Sequence, residues 1–319
     1  MKARPYISFV VVARNDNYGG NFLHRTNVFI KNLLTLCELH SLDSELIIVE
    51  WNPPEDRPLL RDAITWPDTP ARHIGVRIIQ VPKAVHNSLP NPAGLFLYEY
   101  LGKNVGIRRA RSEYVLVTNP DVIFNEHLIK FLASGNLSSK CFYRIDRYDV
   151  RGPVPLDTIE SMMTYCQNNV VRVNTRLGSY PQGARVSLRK RIRFLLSYIK
   201  HFPQGPAHTN ASGDFLLMHR DAWFRLRGYP ELETQGKSHH IDSLMVYQAR
   251  LAGYRQIVIR QPACLYHQEH ERGESSKPMS EAVAALSKQL RKTRKPIIVN
   301  DEKWGLGEED LPENLLQLS

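Results

Sequence analysis

Two aspartates and two histidines have the residue types and spacing to do chemistry. Asp121 follows an apolar, β-branched run and Pro120, which places its carboxylate at a strand end. There it could ligate Mg²⁺ or Mn²⁺, whose other positions go to phosphate oxygens and water. His267 and His270 follow another apolar run, and imidazole is an acceptable ligand for Mn²⁺. The pattern favours a metal-bound phosphate site, in which His267 is preferred to His270 as a ligand. The alternative is that Asp121 caps the helix that begins near Asn125.

Asp242 is the candidate general base. A helical pattern runs from Ile241 to a stop at Gly253, so Asp242 lies in a first turn, where backbone amides stabilise a carboxylate anion. From there it could accept the proton of an attacking hydroxyl. The alternative is a helix-start aspartate without a chemical role, and a retaining reaction would need no such base. His239 and His240 are interpreted as solvated caps beside the helix start.

Four short, β-branched runs separated by helical patterns must position these residues. The runs cover 7–13, 46–50, 76–81 and 114–118, with helical patterns at 22–36 and 97–110. Such alternation predicts an α/β fold with a mostly parallel central sheet flanked by helices. Ligands bind beyond the carboxyl ends of such strands. The predicted crevice is therefore lined by the residues after each run: Ala13, Arg14, Asn15, Asp16, Glu50, Trp51, Asn52, Pro82, Lys83, Asn119, Pro120 and Asp121.

The second half has a different pattern. Strands are predicted at 142–148, 214–218, 257–259 and 263–266, and helices from about 125, at 221–226, at 241–251 and around 281–291. Gly228 and Gly253 are expected just after helix ends. Residues 149–212 show little periodicity, so we interpret them as an irregular region that shapes the acceptor side.

Length, charge and cysteine content limit the classes of protein to which the chain can belong. The 319 residues are 42% apolar, enough for one large α/β domain or two lobes, and the net charge of +10 favours anionic partners. Nucleic acid has charge as its only support, because zinc-finger spacing and aromatic RNA-binding motifs are missing, so no nucleic-acid partner is expected. The four scattered cysteines are predicted to be reduced and mostly buried. No run approaches the roughly 18 to 20 apolar residues of a membrane span, which makes a cytoplasmic location the default expectation.

Residues 185–200 are predicted to form a basic amphipathic helix. They contain six basic residues, and one helical stripe is apolar: Leu188, Ile192, Leu195, Leu196 and Ile199. Such a helix can lie peripherally on an anionic membrane surface. The alternatives are a core-facing helix with a solvated basic face, and a grip on an acidic polysaccharide.

The order of these motifs resembles glycosyltransferase family 2, of the GT-A fold, over most of residues 5–270. Residues 103–121 are similar to its N-x-G-hydrophobic segment followed by a strand and an aspartate motif. Residues 211–221 and 227–231 are similar to its glycine-led acceptor strand and following loop, and 240–254 to the motif that supplies the base. Tyr266 and His267 match the late histidine. The sequence departs from the family at Asn119, in place of the first aspartate of a pair, and at Ile241, where a glutamate usually precedes the base.

The resemblance implies inverting, metal-assisted transfer of a hexosyl or N-acetylhexosaminyl group, as in polysaccharide biosynthesis. The donor would be a UDP- or GDP-sugar, and the acceptor a hydroxyl of a glycan or of a lipid-linked molecule. Asp242 would be the base, Asp121 and His267 would hold Mn²⁺ or Mg²⁺, and Gly213 and Asp214 would contact the acceptor. The implied donor contacts are Ala13, Arg14, Asp16, Glu50, Asn52, Lys83, Lys103, Asn104, Arg108, Asn119 and Asp121.

The expected organisation follows the same resemblance. Residues 1–125 would form the nucleotide-sugar-binding half, 126–270 the acceptor-binding and catalytic half of the same domain, and 271–319 a C-terminal extension. Three alternatives stay open: a catalytically inactive sugar- or nucleotide-binding relative, favoured by Asn119 and Ile241; nucleotidyl transfer, for which Gly19 and Gly20 make a poor phosphate loop; and a basic nucleic-acid-binding protein.

Overall fold

The computed structural model describes residues 4–68, 72–200, 204–236, 239–271 and 280–316. Its strands in chain order are β1 (Ile7–Ala13), β2 (Ser44–Trp51), β3 (Ile74–Val81), β4 (Tyr114–Val117), β5 (Val122–Phe124), β6 (Cys141–Ile145), β7 (Arg147–Val150), β8 (Val170–Thr175), β9 (Gly178–Pro181), β10 (Leu216–His219), β11 (Arg255–Ile259), β12 (Leu265–Gln268) and β13 (Glu313–Leu316).

The helices pack around these strands. In chain order they are α1 (Phe22–Leu39), α2 (Leu60–Ala63), α3 (Lys83–Ser88), α4 (Glu99–Arg109), α5 (Glu126–Ala133), α6 (Ile159–Asn168), α7 (Leu188–Lys200), α8 (Arg220–Leu226), α9 (Ile241–Leu251) and α10 (Glu281–Thr293), with a 3-10 turn at Glu233–Gln235. None of the helices in the described part of the chain has the length and apolar character needed to cross a membrane.

The central sheet has eight strands in the order β11-β6-β10-β4-β1-β2-β3-β13. Strands β4, β1, β2 and β3 are parallel to one another, whereas β10 runs antiparallel to both of its neighbours. Every residue of β1 and β2 is buried, as expected for strands covered on both faces. Phe9 and Val11 of β1 face the side of α1, and Val10 and Val12 face α4. The predicted α/β fold, with a mostly parallel central sheet flanked by helices, is confirmed.

A second sheet has five strands in the order β5-β12-β7-β8-β9. It corrects two predictions. The predicted strand 142–148 breaks at Asp146, because β6 joins the central sheet and β7 joins the second one. The predicted irregular region 149–212 contains α6 and the β8–β9 hairpin, which are mostly half-exposed, so their apolar periodicity is weak. Helix α7 in the same region lies within the predicted amphipathic helix of residues 185–200.

The last described segment folds back onto the central sheet. The predicted helix around 281–291 is present as α10, which packs on α9. Strand β13, which the sequence pattern did not predict, pairs antiparallel with β3 and brings Glu313 to the buried guanidinium of Arg77 at 2.8 Å. The other short-range expectations hold: helix α9 ends just before Gly253, Gly228 follows α8 with a positive φ, and all four cysteines are buried free thiols.

Glu233 fixes the start of α4. Its carboxylate is buried and accepts the backbone N–H groups of Tyr100 and Leu101 at 2.8 and 2.9 Å. Burial is the largest influence and raises the pKa of Glu233 to about 8, although these hydrogen bonds act in the opposite direction. Between the ordinary pKa of glutamate and about pH 8, Glu233 is therefore protonated in the folded protein but ionised in the unfolded chain.

Glu233→Gln is expected to gain stability relative to the wild type as the pH rises. The folded-state pKa is raised, so the wild type loses stability between the ordinary pKa of glutamate and about 8, whereas glutamine does not titrate. The difference in the free energy of unfolding, measured by urea denaturation, should grow by a few kcal/mol between about pH 5 and about pH 9. The exposed Glu302→Gln serves as the control, and a pH-independent difference for Glu233→Gln would contradict the assignment.

Candidate active site

Asp121 lies between two histidines at the edge of the second sheet. It directly precedes β5, and His267 lies opposite the first residue of β5 in the neighbouring strand β12. The Nε2 atoms of His267 and His270 are 3.7 and 3.2 Å from Oδ2 of Asp121. The other carboxylate oxygen, Oδ1, is buried and has no hydrogen-bond partner in the described structure. This pairing of strands brings together residues that are about 150 positions apart in the sequence.

Both imidazole rings are oriented by acceptors that face their Nδ1 atoms. Nδ1 of His267 faces Oδ1 of Asp149 at 3.4 Å, and Nδ1 of His270 is 2.8 Å from the carbonyl oxygen of Glu271. Each acceptor favours a proton on Nδ1, so Nε2, which faces Asp121, is the ring nitrogen that could ligate a metal ion. Metal-binding histidines in proteins are usually oriented in this way, by a carboxylate or carbonyl that accepts the other ring N–H.

The charges around this cluster keep its carboxyl groups ionised. Burial raises the pKa of Asp121, but His267 and His270 outweigh it, so the net pKa lies below its ordinary value. Burial likewise raises the pKa of Asp149, yet His267 and Arg147 bring it down to about 2. Asp121 is thus available as an anion at neutral pH.

The cluster fits a divalent metal ion. One atom each from Asp121, His267 and His270 lies within 4.8 Å of the others, and an oxygen with two nitrogens is a donor set that Mn²⁺ accepts. The buried Oδ1 of Asp121 without a partner is a second available oxygen. The predicted placement of Asp121 and His267 together is therefore seen, and His270 joins them.

Asn119 does not face this cluster. Its Nδ2 donates to Oδ1 of Asp214 at 2.7 Å, and the other carboxylate oxygen of Asp214 accepts from Arg147. Burial raises the pKa of Asp214, but Arg147 and His267 hold it well below the ordinary value. Both oxygens of Asp214 are thus engaged inside the protein, so the geometry gives no support for its predicted contact with an acceptor.

Asp242 occupies a neighbouring site beside Gly213. Its Oδ2 accepts the hydroxyl of Ser212 at 2.5 Å, and the residue is only partly buried. A Cβ on Gly213 would lie 3.7 Å from this oxygen and 3.8 Å from Nζ of Lys103. Segment 212–214 is linked to the Asp121 cluster through Asp214, because Arg147 pairs with both Asp214 and Asp149, and Asp149 faces His267. His240, two residues before Asp242, has a left-handed backbone and makes no side-chain cap.

A third group lies where β1 and β2 end. Arg14, next to Ala13, donates to the carbonyl of Asn52 at 2.8 Å and to Asp16 at 2.9 Å, and its guanidinium lies 5.3 Å from the ring of Phe96. Phe96 is 69% exposed, which leaves an aromatic face beside a cation at the crevice. These are features that can hold a nucleobase.

Other predicted donor contacts are engaged within the protein. Glu50 is buried and accepts the N–H of Leu60 at 2.7 Å; burial raises its pKa. Lys83 is exposed and pairs with Glu55. Lys103 is fully buried and donates to Glu99 and to the carbonyl of Gly213. Arg108 donates to the carbonyls of Glu302 and Trp304, so it holds the C-terminal segment rather than a phosphate.

Asn104 is a buried clamp. Its Nδ2 donates to the carbonyl of Tyr229 and to Glu231, both at 2.8 Å, and its Oδ1 accepts the N–H of Tyr229 at 2.7 Å. A Cβ at Gly228 would come within 2.1 Å of that oxygen, which explains the glycine there. The amide is saturated by these bonds, so the geometry gives no support for its predicted contact with a donor.

Asn104→Ala is expected to destabilise the fold by about 1 to 3 kcal/mol, because it leaves the buried N–H of Tyr229 without an acceptor. The affinity of the folded protein for a nucleotide should not change. Urea denaturation and calorimetric titration measure the two effects, with the exposed Asn136→Ala as a control. Weaker nucleotide binding at full stability would instead restore Asn104 as a donor contact.

Besides Phe96, four residues that build the site were not predicted from the sequence. Arg147 and Asp149 alternate on β7 and support Asp214 and His267, and Ser212 positions Asp242. Arg25 on α1 is buried and donates to the carbonyls of Tyr18 and Gly20, which shapes the turn beside His270. The one local signal in the sequence was the alternation of Arg147 and Asp149, which places both side chains on the same face of a strand.

A depression of about 380 Å³ adjoins the Asp121 cluster. Its lining includes Gly19, Gly20, Arg25, Gln268 and His270. A Cβ at Gly19, whose φ is +67°, would come within 2.4 Å of Nδ1 of His270. The glycine-containing turn therefore packs directly on a candidate metal ligand, and the concave space beside it is open to a ligand.

The sequence matches no protein-family model, and no curated protein matches it. Similar solved structures include GalNAc-T7 with UDP, GalNAc and Mn²⁺, at 11% identity and a TM-score of 0.49, covering 90% of this chain and 48% of that one. Another is S. aureus TarS 1-349, at 17% identity and a TM-score of 0.44, covering 82% of this chain and 60% of that one. The same protein in complex with UDP-GlcNAc is similar at 15% identity and a TM-score of 0.45, covering 89% of this chain and 65% of that one. This chain spans less than two thirds of each. Similarity at this level carries no information on activity.

Proposed function

We propose that this protein is a metal-assisted glycosyltransferase that takes its sugar from a nucleotide-sugar. The observation that carries the proposal is the Asp121 cluster, in which two oriented imidazole nitrogens and an ionised carboxylate converge at the edge of an α/β crevice. Asp121, His267 and His270 would hold Mn²⁺ or Mg²⁺, which when bound neutralises charge on a diphosphate leaving group.

The remaining residues have separate roles in this proposal. The ring of Phe96 and the guanidinium of Arg14, beside Asn52, would hold the nucleobase end of a UDP- or GDP-sugar. Asp242, oriented by Ser212, would accept the proton of an acceptor hydroxyl. The hydroxyl oxygen forms its bond to the anomeric carbon as the bond to the diphosphate oxygen breaks, and the nucleoside diphosphate leaves with that electron pair. A base in this position supports inversion at the anomeric carbon.

A second candidate function is nucleotide-sugar binding without transfer. It is favoured by Asn119, which points its amide at Asp214 instead of supplying a second acidic ligand. The glycosyltransferase proposal also includes transfer of a hexosyl or N-acetylhexosaminyl group and a role in polysaccharide biosynthesis. The binding-only alternative includes neither.

Binding and turnover of a panel of nucleotides test both. UDP, GDP and CMP are titrated calorimetrically with and without Mn²⁺, and the matching sugar donors are then assayed for hydrolysis and transfer. We expect one nucleoside diphosphate to bind in a Mn²⁺-dependent manner and its sugar to be released. Binding without release would favour the second candidate, and nucleic-acid binding without any nucleotide binding would overturn both.

A further inference from the structure

Helix α7 displays an apolar stripe to solvent. Leu188, Ile192, Leu195, Leu196 and Ile199 are between 47% and 73% exposed. With 3.6 residues per turn, the five side chains share one face about 100° wide. A single exposed leucine is unremarkable, but five on one helix face indicate a surface that meets an apolar phase.

The opposite face of α7 holds it on the protein. Phe194, Ser197 and Tyr198 are partly buried, and the Tyr198 ring lies 5.6 Å from the guanidinium of Arg176, which follows β8. Lys190 lies over the ring of Tyr180 on β9 at 4.4 Å. Because the helix is attached through this face, its apolar stripe points away from the rest of the protein.

Basic side chains flank the stripe. Arg189 and Arg193 lie along one edge of it and Arg191 along the other, and all three are exposed. None of them forms an ion pair with a residue in the described ranges. Residues 161–213 contain eight Lys or Arg and no Asp or Glu, so this segment contributes +8 of the chain's net charge of +10.

We propose that α7 is a docking surface for an anionic phospholipid membrane, on which the helix lies parallel to the surface. The five apolar side chains would enter the acyl boundary, and the flanking arginines would reach lipid phosphates. A second copy of this chain fits less well, because pairing two stripes would bring two +8 segments together. An acidic polysaccharide would satisfy the arginines but leave the leucines in water.

The position of α7 suits delivery of a lipid-linked acceptor, an inference that rests on the proposed transferase function. Arg176 donates to the carbonyl of Pro206 at 2.6 Å, and Asn210 donates to the carbonyl of Thr175 at 2.7 Å. The β8–β9 hairpin therefore ties α7 to the segment that leads to Ser212 and Asp242. A membrane under α7 would present a lipid-linked acceptor on the acceptor side of the fold.

Vesicle co-sedimentation tests the surface independently of any activity. Phosphatidylcholine vesicles with and without phosphatidylglycerol are mixed with the protein at low and high salt. We expect binding to the anionic vesicles, weakened by salt. Leu195→Gln with Leu196→Gln should reduce partitioning by about tenfold or more, and Arg189→Gln with Arg193→Gln by a similar factor at low salt.

Matched variants elsewhere on the surface control for polarity and charge. Leu39→Gln with Ile298→Gln changes two other exposed apolar residues, and Lys288→Gln with Lys292→Gln removes the same charge from α10. Both should bind vesicles as the wild type does. Circular dichroism and nucleotide titration of every variant separate loss of docking from misfolding and from failure of the transferase proposal.

Three results would overturn the proposal. The first is a wild type that stays in solution with anionic vesicles at low salt. The second is a stripe variant that partitions as strongly as the wild type. The third is a dimer that dissociates in the stripe variant without any vesicle binding, which would assign the surface to a second copy of the chain.

Discussion

Replacing Asp121 with asparagine is expected to lower the affinity for a nucleoside diphosphate in the presence of Mn²⁺ by about 100-fold or more. The substitution keeps the shape of the side chain but removes the only carboxylate of the cluster with His267 and His270. Two neutral imidazoles hold a hard divalent ion poorly without an anionic oxygen beside them. Affinity measured without metal should change little.

Calorimetric titration of the nucleotide with Mn²⁺, and again after chelation with EDTA, measures this prediction. Asp221→Asn is the matched control, since that aspartate is exposed in the first turn of α8, beside the start of β4, whereas Asp121 follows the end of β4. Unchanged metal dependence in Asp121→Asn would remove the metal from the proposal. It would also reassign Asp121 to a hydrogen-bonded anchor for the two histidines.

Asp242→Asn is expected to reduce transfer by about 10² to 10⁴-fold while nucleotide and metal binding stay at the wild-type level. Asparagine can still accept the Ser212 hydroxyl, so the local structure should survive, but it cannot take a proton from the acceptor. The loss should therefore fall on kcat for transfer.

A transfer assay with the donor identified from the nucleotide panel measures this effect. Glu281→Gln is a suitable control because Glu281 is also a first-turn carboxylate, on α10, outside the proposed site. Retained transfer by Asp242→Asn would eliminate the assigned base and favour a retaining route. If the wild type transfers nothing with any donor, the nucleotide-binding alternative is preferred.

Local features of the sequence were sufficient for the central part of the fold. Strands β1 and β2 are continuous β-branched runs, and α1 and α4 repeat apolar residues every three or four positions, so a window of about ten residues contains the whole signal. Asp121 was singled out for the same reason, because it ends such a run. Asn119 and Ile241 were visible as departures from the family pattern, although what Asn119 does instead was not.

The long-range pairings were decided only by the tertiary structure. Strand β13 has no marked pattern, and it becomes a strand because β3 offers it an open edge. Asn104, Lys103 and Arg108 were expected to contact the donor. Apart from the local pair of Lys103 with Glu99, their partners come from segments about 110 to 200 residues away, such as Gly213, Tyr229 and Trp304. A polar residue looks the same in sequence whether it binds a ligand or satisfies a buried carbonyl.

The sequence by itself determined the α/β class, the strand ends that form the crevice, and the amphipathic character of residues 188–200. These properties depend on the periodicity of neighbouring residues. Tertiary structure alone decided that His267 and His270 direct their Nε2 atoms at Asp121, that Asp149 orients one of them, and that the α7 stripe faces solvent. Such facts depend on which distant strands pair and in which register, and no short stretch of sequence contains that information.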